Sequence, residues 1–325
     1  MAYDESNIRT LSSIEHIRQR PGMYIGRLGN GSHPEDGIYI LLKEVIDNSI
    51  DEFMEGNGSK IIVTLDGQKC TVRDYGRGIP LNKLIECVSV INTGAKYDNE
   101  AFQYSVGLNG VGTKAVNALS SYFEITSWRE GEYMNAVFER GELVHKEKGK
   151  GEEPNGTFVS FIPDDDPAIF GKYTYNEDYI KERLWNYAYL NKGLIISFNG
   201  KTIKSAGGLM DLVKKILGDD GLYPLINYKS RNLEFSFTHT NGYGESYHSY
   251  VNGQYTSDGG THEAAFKEGV LKGINEYFHK SWAAPEIRDG IVATVAIKVM
   301  NPVFESQTKN KLGNTDVRAW IVPEV

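Results

Sequence analysis

Residues 38–53 read Ile-Tyr-Ile-Leu-Leu-Lys-Glu-Val-Ile-Asp-Asn-Ser-Ile-Asp-Glu-Phe, and this stretch decides the fold. Apolar residues recur at Ile38, Leu41, Leu42, Val45, Ile46, Ile50 and Phe53. A period of about 3.6 residues predicts an amphipathic helix. The opposite side carries Glu44, Asp47, Asn48, Asp51 and Glu52. Glu44 and Asn48 are one turn apart and point the same way. A carboxylate above a carboxamide suits the activation of a water and the holding of a metal ion. A solvated acidic face accounts for the same pattern, so the choice falls to residues elsewhere.

Downstream of the helix, Lys60–Asp74 reads as a hairpin, with Asp66-Gly67 as its tight turn. The returning strand runs into Asp74-Tyr-Gly-Arg-Gly-Ile-Pro80. A carboxylate at a strand end followed by spaced glycines suits a ligand lying close to backbone, or an exposed turn. Leu81–Val90 reads as a short helix. Thr93–Gly112 is a second glycine-rich region opening a helix at Ala115–Leu119. Glycines entering a helix N-terminus offer N–H groups and a favourable dipole to phosphate. Gly112-Thr113-Lys114 inverts the order a Walker loop needs, and Gly110-Val-Gly112-x-x-Ala115 fits a dinucleotide pattern without a preceding parallel strand.

From Tyr122 the segments 122–128, 132–141 and 156–163 alternate apolar and polar residues, which predicts an antiparallel sheet covered on one face. Residues 145–156 read as a charged loop, and Asp164-Asp165-Asp166 as a turn rather than a metal site. Helices are expected from Asn176 to Leu190, over Leu209–Leu217, and over Glu263–Phe278 with Phe266, Val270, Ile274 and Tyr277 on its apolar side. Strands are expected near Leu233–Thr238, Ser246–Val251 and Ile291–Val299. The breaker Gly218-Asp-Asp-Gly221 divides the chain into domains 1–220 and 221–325. Residues 1–20 read as a loose terminus or a docking arm. The fold class is α+β.

Composition narrows the function. The 325 residues suffice for two domains, and a net charge of −8 argues against a broad basic surface gripping nucleic acid. No apolar run approaches the ~20 residues that span a bilayer, and the start MAYDESNIRT has no signal region. Cys70 and Cys87 are expected to be reduced packing residues of a cytoplasmic protein. The seven histidines are scattered without zinc-ligand spacing.

The blocks Glu44-x-x-x-Asn48, Asp74-x-Gly-x-Gly78, Gly107-Leu-Asn-Gly-Val-Gly112 and Gly156-Thr157 stand in an order that resembles the GHKL ATPases. That superfamily includes type II topoisomerases, repair proteins, chaperones and histidine kinases. Arg20-Pro-Gly-Met-Tyr-Ile-Gly26, Asp258-Gly-Gly-Thr-His262 and Pro302-x-Phe-x-Ser-Gln307-Thr-Lys309 extend the resemblance to the ATPase subunits of bacterial type IIA topoisomerases, the B subunits of gyrase and topoisomerase IV. It covers essentially the whole chain. The resemblance implies a two-layer α/β sandwich of the Bergerat type, followed by a transducer domain similar to a ribosomal-protein fold with a left-handed βαβ crossover.

It also implies roles, with ATP and Mg2+ as the bound species. Glu44 would be the general base toward the attacking water, and Asn48 the Mg2+ ligand. Asp74 would accept from the adenine amino group, supported by Thr157, with Gly78, Ile79 and Pro80 walling the base. Glu52 would pair with Arg77 at the rim, Arg129 would border the site, and Asp47 and Asp51 would line it. Lys96 and the amides of Gly107, Leu108, Asn109, Gly110, Val111 and Gly112 would cover the phosphates. Lys309, with Gln307 beside it, would reach the γ-phosphate. Tyr3 and Ile8 would belong to an arm crossing to the partner of a homodimer, whose closure gates the passage of DNA. A DNA-cleaving A-type subunit would be the further partner, and no membrane is implied.

Two residues depart from the pattern: Asn109 stands where histidine is common, and Phe102 where tyrosine is common. The chain stops at Val325, whereas the family continues with long transducer helices and a metal-binding domain that takes part in DNA cleavage. The expectation is a fragment without cleavage activity, slightly closer to topoisomerase IV than to gyrase. A repair-type GHKL ATPase would share the pocket but lack the Arg20–Gly26 and Gln307–Lys309 blocks. A nucleotide-sensing dimerisation module would have no need of both Glu44 and Lys309.

Overall fold

The computed structural model describes residues 10–94, 104, 110–306 and 308–325. Expectations that fall on Tyr3, Ile8, Lys96, Phe102, Gly107, Leu108, Asn109 and Gln307 lie outside the described residues. The chain divides into two compact units. The first takes Met1–Phe102, Gly107–Lys181 and Ile196–Thr202; the second takes Gln103–Val106, Glu182–Ile195 and Ile203–Val325. Gly218–Gly221 lies within the second unit.

The first unit begins with α1 (Ser13–Gln19), α2 (Gly22–Ile25) and the central helix α3 (Gly37–Met54). A hairpin follows, β1 (Lys60–Asp66) and β2 (Lys69–Asp74), then a single 3-10 turn and α4 (Leu84–Ser89). After α5 (Gly112–Ala118) come β3 (Ser120–Arg129), β4 (Glu132–Glu139), β5 (Glu142–Lys150) and β6 (Gly156–Pro163). Helix α6 (Glu177–Leu190), which passes into the second unit after Lys181, and the short strands β7 (Ile195–Phe198) and β8 (Lys201–Ile203) follow. The strands form one sheet in the order β5-β4-β3-β6-β2-β1-β7-β8.

Alternation explains the sheet: Ile61, Val63, Cys70 and Val72 point into the core, as do Phe123, Ile125, Val159 and Phe161. The hairpin turn sits one residue later than expected, because Asp66 still pairs with Lys69 and leaves Gly67-Gln68 as the loop. Gly67, with φ +58°, supplies the left-handed conformation there. Helix α3 packs against β2, β6 and α5. Its acidic side is not a solvated face: Glu44, Asp47 and Asp51 are all buried.

Two expectations need correction. Residues 145–150 belong to strand β5 rather than a loop. β5 pairs with β4 on one side only and ends the sheet. Its Lys and Glu side chains are exposed, the composition that keeps an open edge from pairing with another chain. Residues 13–19 are not a loose terminus either. Ser12 and Glu15 form a reciprocal capping box that starts α1, and Ile17 is fully buried. Arg18 then donates to the Ala118 carbonyl at 2.7 Å and to Asp164 at 2.8 Å. Asp164, the first of the three consecutive aspartates, is fully buried and also takes Arg140 at 3.0 Å.

The second unit contains α7 (Leu209–Leu217), β9 (Ile226–Lys229), β10 (Leu233–His239), β11 (Ser246–Val251) and β12 (Gln254–Tyr255). It continues with α8 (Thr261–Phe278), α9 (Ala284–Arg288), β13 (Ile291–Ile297) and α10 (Val317–Glu324). Its sheet has the order β12-β11-β13-β10-β9. β11 and β13 run parallel, so the chain between them must cross over, and α8 is that crossover. Phe235, Phe237, Phe266, Val270, Ala293, Val295, Val317 and Ile321 form the core. Burial on α8 fades toward its end: Phe266 and Val270 are buried, whereas Tyr277 is exposed despite its place in the apolar period.

Burial alone would raise the Asp164 carboxyl, but hydrogen bonds from Arg140 and Arg18 outweigh it and hold the group below its ordinary value. A depressed carboxyl contributes stability that is present above its unfolded pKa and lost as pH falls through the folded one. Asp164→Ala should therefore destabilise the fold at neutral pH by about 1.5–3 kcal/mol. Denaturant melts should show that deficit shrinking below about pH 4; a deficit that does not change with pH contradicts the assignment.

Candidate functional site

The site of the first unit is organised by the buried polar side of α3. At its N-terminal end Glu44 lies against the start of α5, so close that a Cβ on Gly112 would fall 1.9 Å from its Oε2. Glycine at 112 is thus a condition for the carboxylate to occupy its place. One turn on, the Asn48 amide donates to the Glu44 carbonyl at 2.8 Å and to Thr113 Oγ1 at 3.0 Å. Both bonds use the NH2 end and fix the carboxamide, whose oxygen is an acceptor of the kind a hard cation takes. The neighbouring Lys43 and Asp47 form a buried ion pair at 2.6 Å. Lys114, also buried, donates to the Thr93 carbonyl at 2.5 Å and ties α5 to the segment before it. Gly110, with φ +60°, and Val111 lead into α5.

Further along α3, Ser49 donates to Asp74 Oδ2 at 3.3 Å. Asp74 Oδ1 accepts from the amides of Gly76 at 2.9 Å and Thr157 at 3.2 Å. The close approach of β2 and β6 at this point explains Gly156, whose φ is +137° and whose Cβ would meet the Asp74 carbonyl at 2.3 Å. Burial pushes the Asp74 carboxyl above the usual aspartate range, against the two amide hydrogen bonds that oppose it. Asp51 is buried in the same region of α3.

Glu52, one turn beyond Asn48, takes the Arg77 guanidinium in a two-pronged pair, at 2.9 Å to Oε1 and 3.1 Å to Oε2. It also accepts the Arg77 amide at 2.9 Å. Gly76 makes room for this carboxylate, since a Cβ would meet Glu52 Cβ and Cγ at 2.8 Å. The Gly78-Ile79-Pro80 segment is pinned to the end of β3: Ser127 donates to the Ile79 carbonyl at 2.8 Å and Arg129 to the Gly78 carbonyl at 3.2 Å. Gly78 has φ +74° and abuts the Trp128 carbonyl, so only glycine fits.

The structure thus brings Glu44, Asn48, Gly112 and Thr113 together, and likewise Asp74, Ser49, Gly76 and Thr157. Ser49, Thr113 and Ser127 escaped the sequence reading. Ser49 lay on the apolar side of the α3 pattern, and Thr113 stood out only as part of a failed Walker loop. In the second unit Lys309 is buried and has φ +62°, unusual for a residue with a side chain. Among the described residues there is no group of three or more His, Cys, Asp or Glu that could hold a metal ion.

Two family models match the chain. One, described as histidine kinase-, DNA gyrase B-, and HSP90-like ATPase, matches residues 33–167. The other, described as DNA gyrase B, matches residues 177–325. The solved ATPase domain of Thermus thermophilus gyrase B is 31% identical, with a TM-score of 0.73, and the match covers 96% of this chain and 87% of that one. The chain belongs to the DNA gyrase B family. Within the gyrase B family, the B subunit of DNA topoisomerase 4 from Borreliella burgdorferi is 55% identical over 324 residues, 99% of this chain and 54% of that protein. The B subunit of DNA gyrase from Helicobacter pylori is 35% identical over 351 residues, 98% of this chain and 44% of that protein. The chain spans about half the length of these gyrase B family relatives. The expected α+β fold, a GHKL sandwich followed by a transducer domain, is the fold of the family, and the dinucleotide reading of Gly110–Ala115 falls away.

A raised carboxyl gives Asp74 a stability contribution with a definite sign. It is present below the ordinary aspartate pKa, about 4, and lost as pH rises through the folded value. Asp74→Asn keeps an oxygen for the Gly76 and Thr157 amides and turns its NH2 to Ser49. Denaturant melts should show the variant gaining stability relative to wild type as pH rises from about 4 to 8; a constant difference rules out a strained carboxylate.

Proposed function

We propose that the chain binds ATP with Mg2+ and hydrolyses it, as the ATPase portion of a bacterial type IIA topoisomerase. The observation that carries the reading is the division of one helix face between two polar centres, Glu44 with Asn48 and Ser49 with Asp74. One centre suits the reacting phosphate and the other the base. In this reading the nucleotide-binding domain spans residues 1–220 and the transducer domain residues 221–325.

Asp74 accepts from the adenine amino group while the Thr157 and Gly76 amides hold its carboxylate in register. A hydrogen bond to a charged group of this kind contributes about 1.5–3 kcal/mol. Gly78, Ile79 and Pro80 wall the adenine, Asp51 lines the site, and the Glu52–Arg77 pair with Arg129 closes the rim. Lys96 and the amides of residues 107–112 cover the phosphates. Glu44 orients the attacking water and takes its proton.

Asn48 fits an Mg2+ site because its carboxamide, held at the NH2 end by Thr113 and the Glu44 carbonyl, carries an oxygen donor of the kind Mg2+ takes. Mg2+ usually keeps several waters and is held through few protein ligands together with substrate phosphates. When bound, the ion neutralises charge on the triphosphate. Lys309, with Gln307, reads the γ-phosphate, which makes the second unit sensitive to whether the third phosphate is present.

In the whole protein this cycle would drive homodimerisation, with Tyr3 and Ile8 in the exchanged arm, and close a gate through which DNA passes. The remaining partner is a DNA-cleaving A-type subunit, and the site of action is the cytoplasm. The higher identity to the topoisomerase 4 relative, 55% against 35% for the gyrase relative, favours the topoisomerase IV type.

Glu44→Gln removes the base and keeps the shape. It should bind a non-hydrolysable ATP analogue as wild type does, while phosphate release falls by about 10²–10⁴-fold. Turnover that survives the substitution sinks the assignment of the base.

A further inference from the structure

Asp258-Gly-Gly-Thr-His262 is a block of the sequence to which no role has been attached. In the second unit it runs beside the segment that carries Lys309. The Asp258 amide donates to the Asn310 carbonyl at 3.0 Å and the Thr261 amide to the Leu312 carbonyl at 3.1 Å. The Leu312 amide donates back to Gly259 at 3.3 Å, and Gly260 and Leu312 form a parallel bridge. On the other side Leu312 bridges Phe304 in the antiparallel sense, with the Glu305 amide bonded to Lys311 at 3.1 Å and the Gly313 amide to Val303 at 2.8 Å. The strand leading away from Lys309 is therefore the middle member of a small three-stranded ladder.

Lys309 sits at the closed end of that ladder, where its amide donates to the Ser306 carbonyl at 3.1 Å. The ladder is fixed to the core of the unit: Leu312 is 1% exposed, Phe304 packs on the apolar cluster, and α8 starts at Thr261. Gly260 is the point of closest approach. A Cβ there would lie 2.6 Å from both the Leu312 amide nitrogen and carbonyl oxygen, and φ is +138°. Those are backbone atoms, which do not swing aside as a side chain does. At Gly259, whose φ is +69°, the nearest atoms a Cβ would meet belong instead to the flexible Glu263 side chain, at 2.8 Å.

We propose that Gly260, with the backbone of Asp258–Thr261, is the positioning device for Lys309 and sets where its ammonium group is presented. The inference rests on the reading that Lys309 acts on the terminal phosphate. A side chain at 260 pushes the 310–312 strand outward and carries Lys309 with it. Displacement of a reacting group by about 1 Å costs on the order of 10²-fold in rate.

The test measures ATP turnover and the binding of a non-hydrolysable ATP analogue in Lys309→Ala, Gly260→Ala and the double variant. Lys309→Ala should lower kcat by about 10²–10³-fold. Gly260→Ala should lower kcat by about 10²-fold with KM and analogue affinity unchanged. The double variant should be no slower than Lys309→Ala alone, because a displaced lysine and a missing one are the same loss. A wild-type kcat in Gly260→Ala, or losses that multiply in the double variant, overturns the proposal. A wild-type kcat in Lys309→Ala overturns instead the reading beneath it. Should Gly260→Ala not fold, Thr261→Pro decides by the same criteria. It deletes the N–H that reaches Leu312, at a first helical position where proline is tolerated.

Discussion

A carboxylate taken out of water must find donors or a cation, and α3 takes four charged side chains, Lys43, Glu44, Asp47 and Asp51, into the interior at once. Much of the first unit can be understood as the set of partners its polar side requires. Lys43 meets Asp47 within the helix, the Arg77 loop comes back to Glu52, and Ser49 reaches across to the end of β2. The β2–β6 contact exists at the height where Thr157 can offer its amide to Asp74. The glycines at 76, 78, 112 and 156 follow from the same demand, because each stands where a polar side chain or a backbone carbonyl occupies the space of a Cβ.

The second unit meets a different constraint. Parallel pairing of β11 and β13 forces a crossover, and α8 supplies it while burying Phe266 and Val270. The Lys309 segment is appended at the N-terminus of that helix by backbone bonds, and Leu312 anchors it in the apolar core. Backbone ladders transmit position without depending on side-chain rotamers. That suits a residue whose proposed task is to report on one phosphate.

The helix pattern of Ile38–Phe53 and the alternation in β3, β4 and β6 were legible because each element buries one side and the period exposes it. The division of labour along α3 was less so. Periodicity shows which residues share a face, not whether that face is wet, and only the burial of Glu44 and Asp51 decides against solvation. β5 was missed because an edge strand that guards against further pairing has the composition of a loop. Helix α1 was missed although Ser12 and Glu15 stand at the spacing of a capping box, a short signal outweighed by the polarity around it. Asp258–His262 stood out as a block, yet its meaning depends on Leu312, far away in sequence and paired with it only in space.

The contact between Glu44 and Gly112 has a consequence for how such chains diverge. A side chain at 112 would displace the carboxylate, so while Glu44 keeps its place 112 is held at glycine. If Glu44 is the base, as proposed, the constraint on 112 lapses once turnover is no longer under selection. On that reading, a bulky residue at 112 facing a shortened or neutral one at 44 would mark a relative that keeps the fold but has retired the proposed chemistry, and that history would be readable from two letters of sequence.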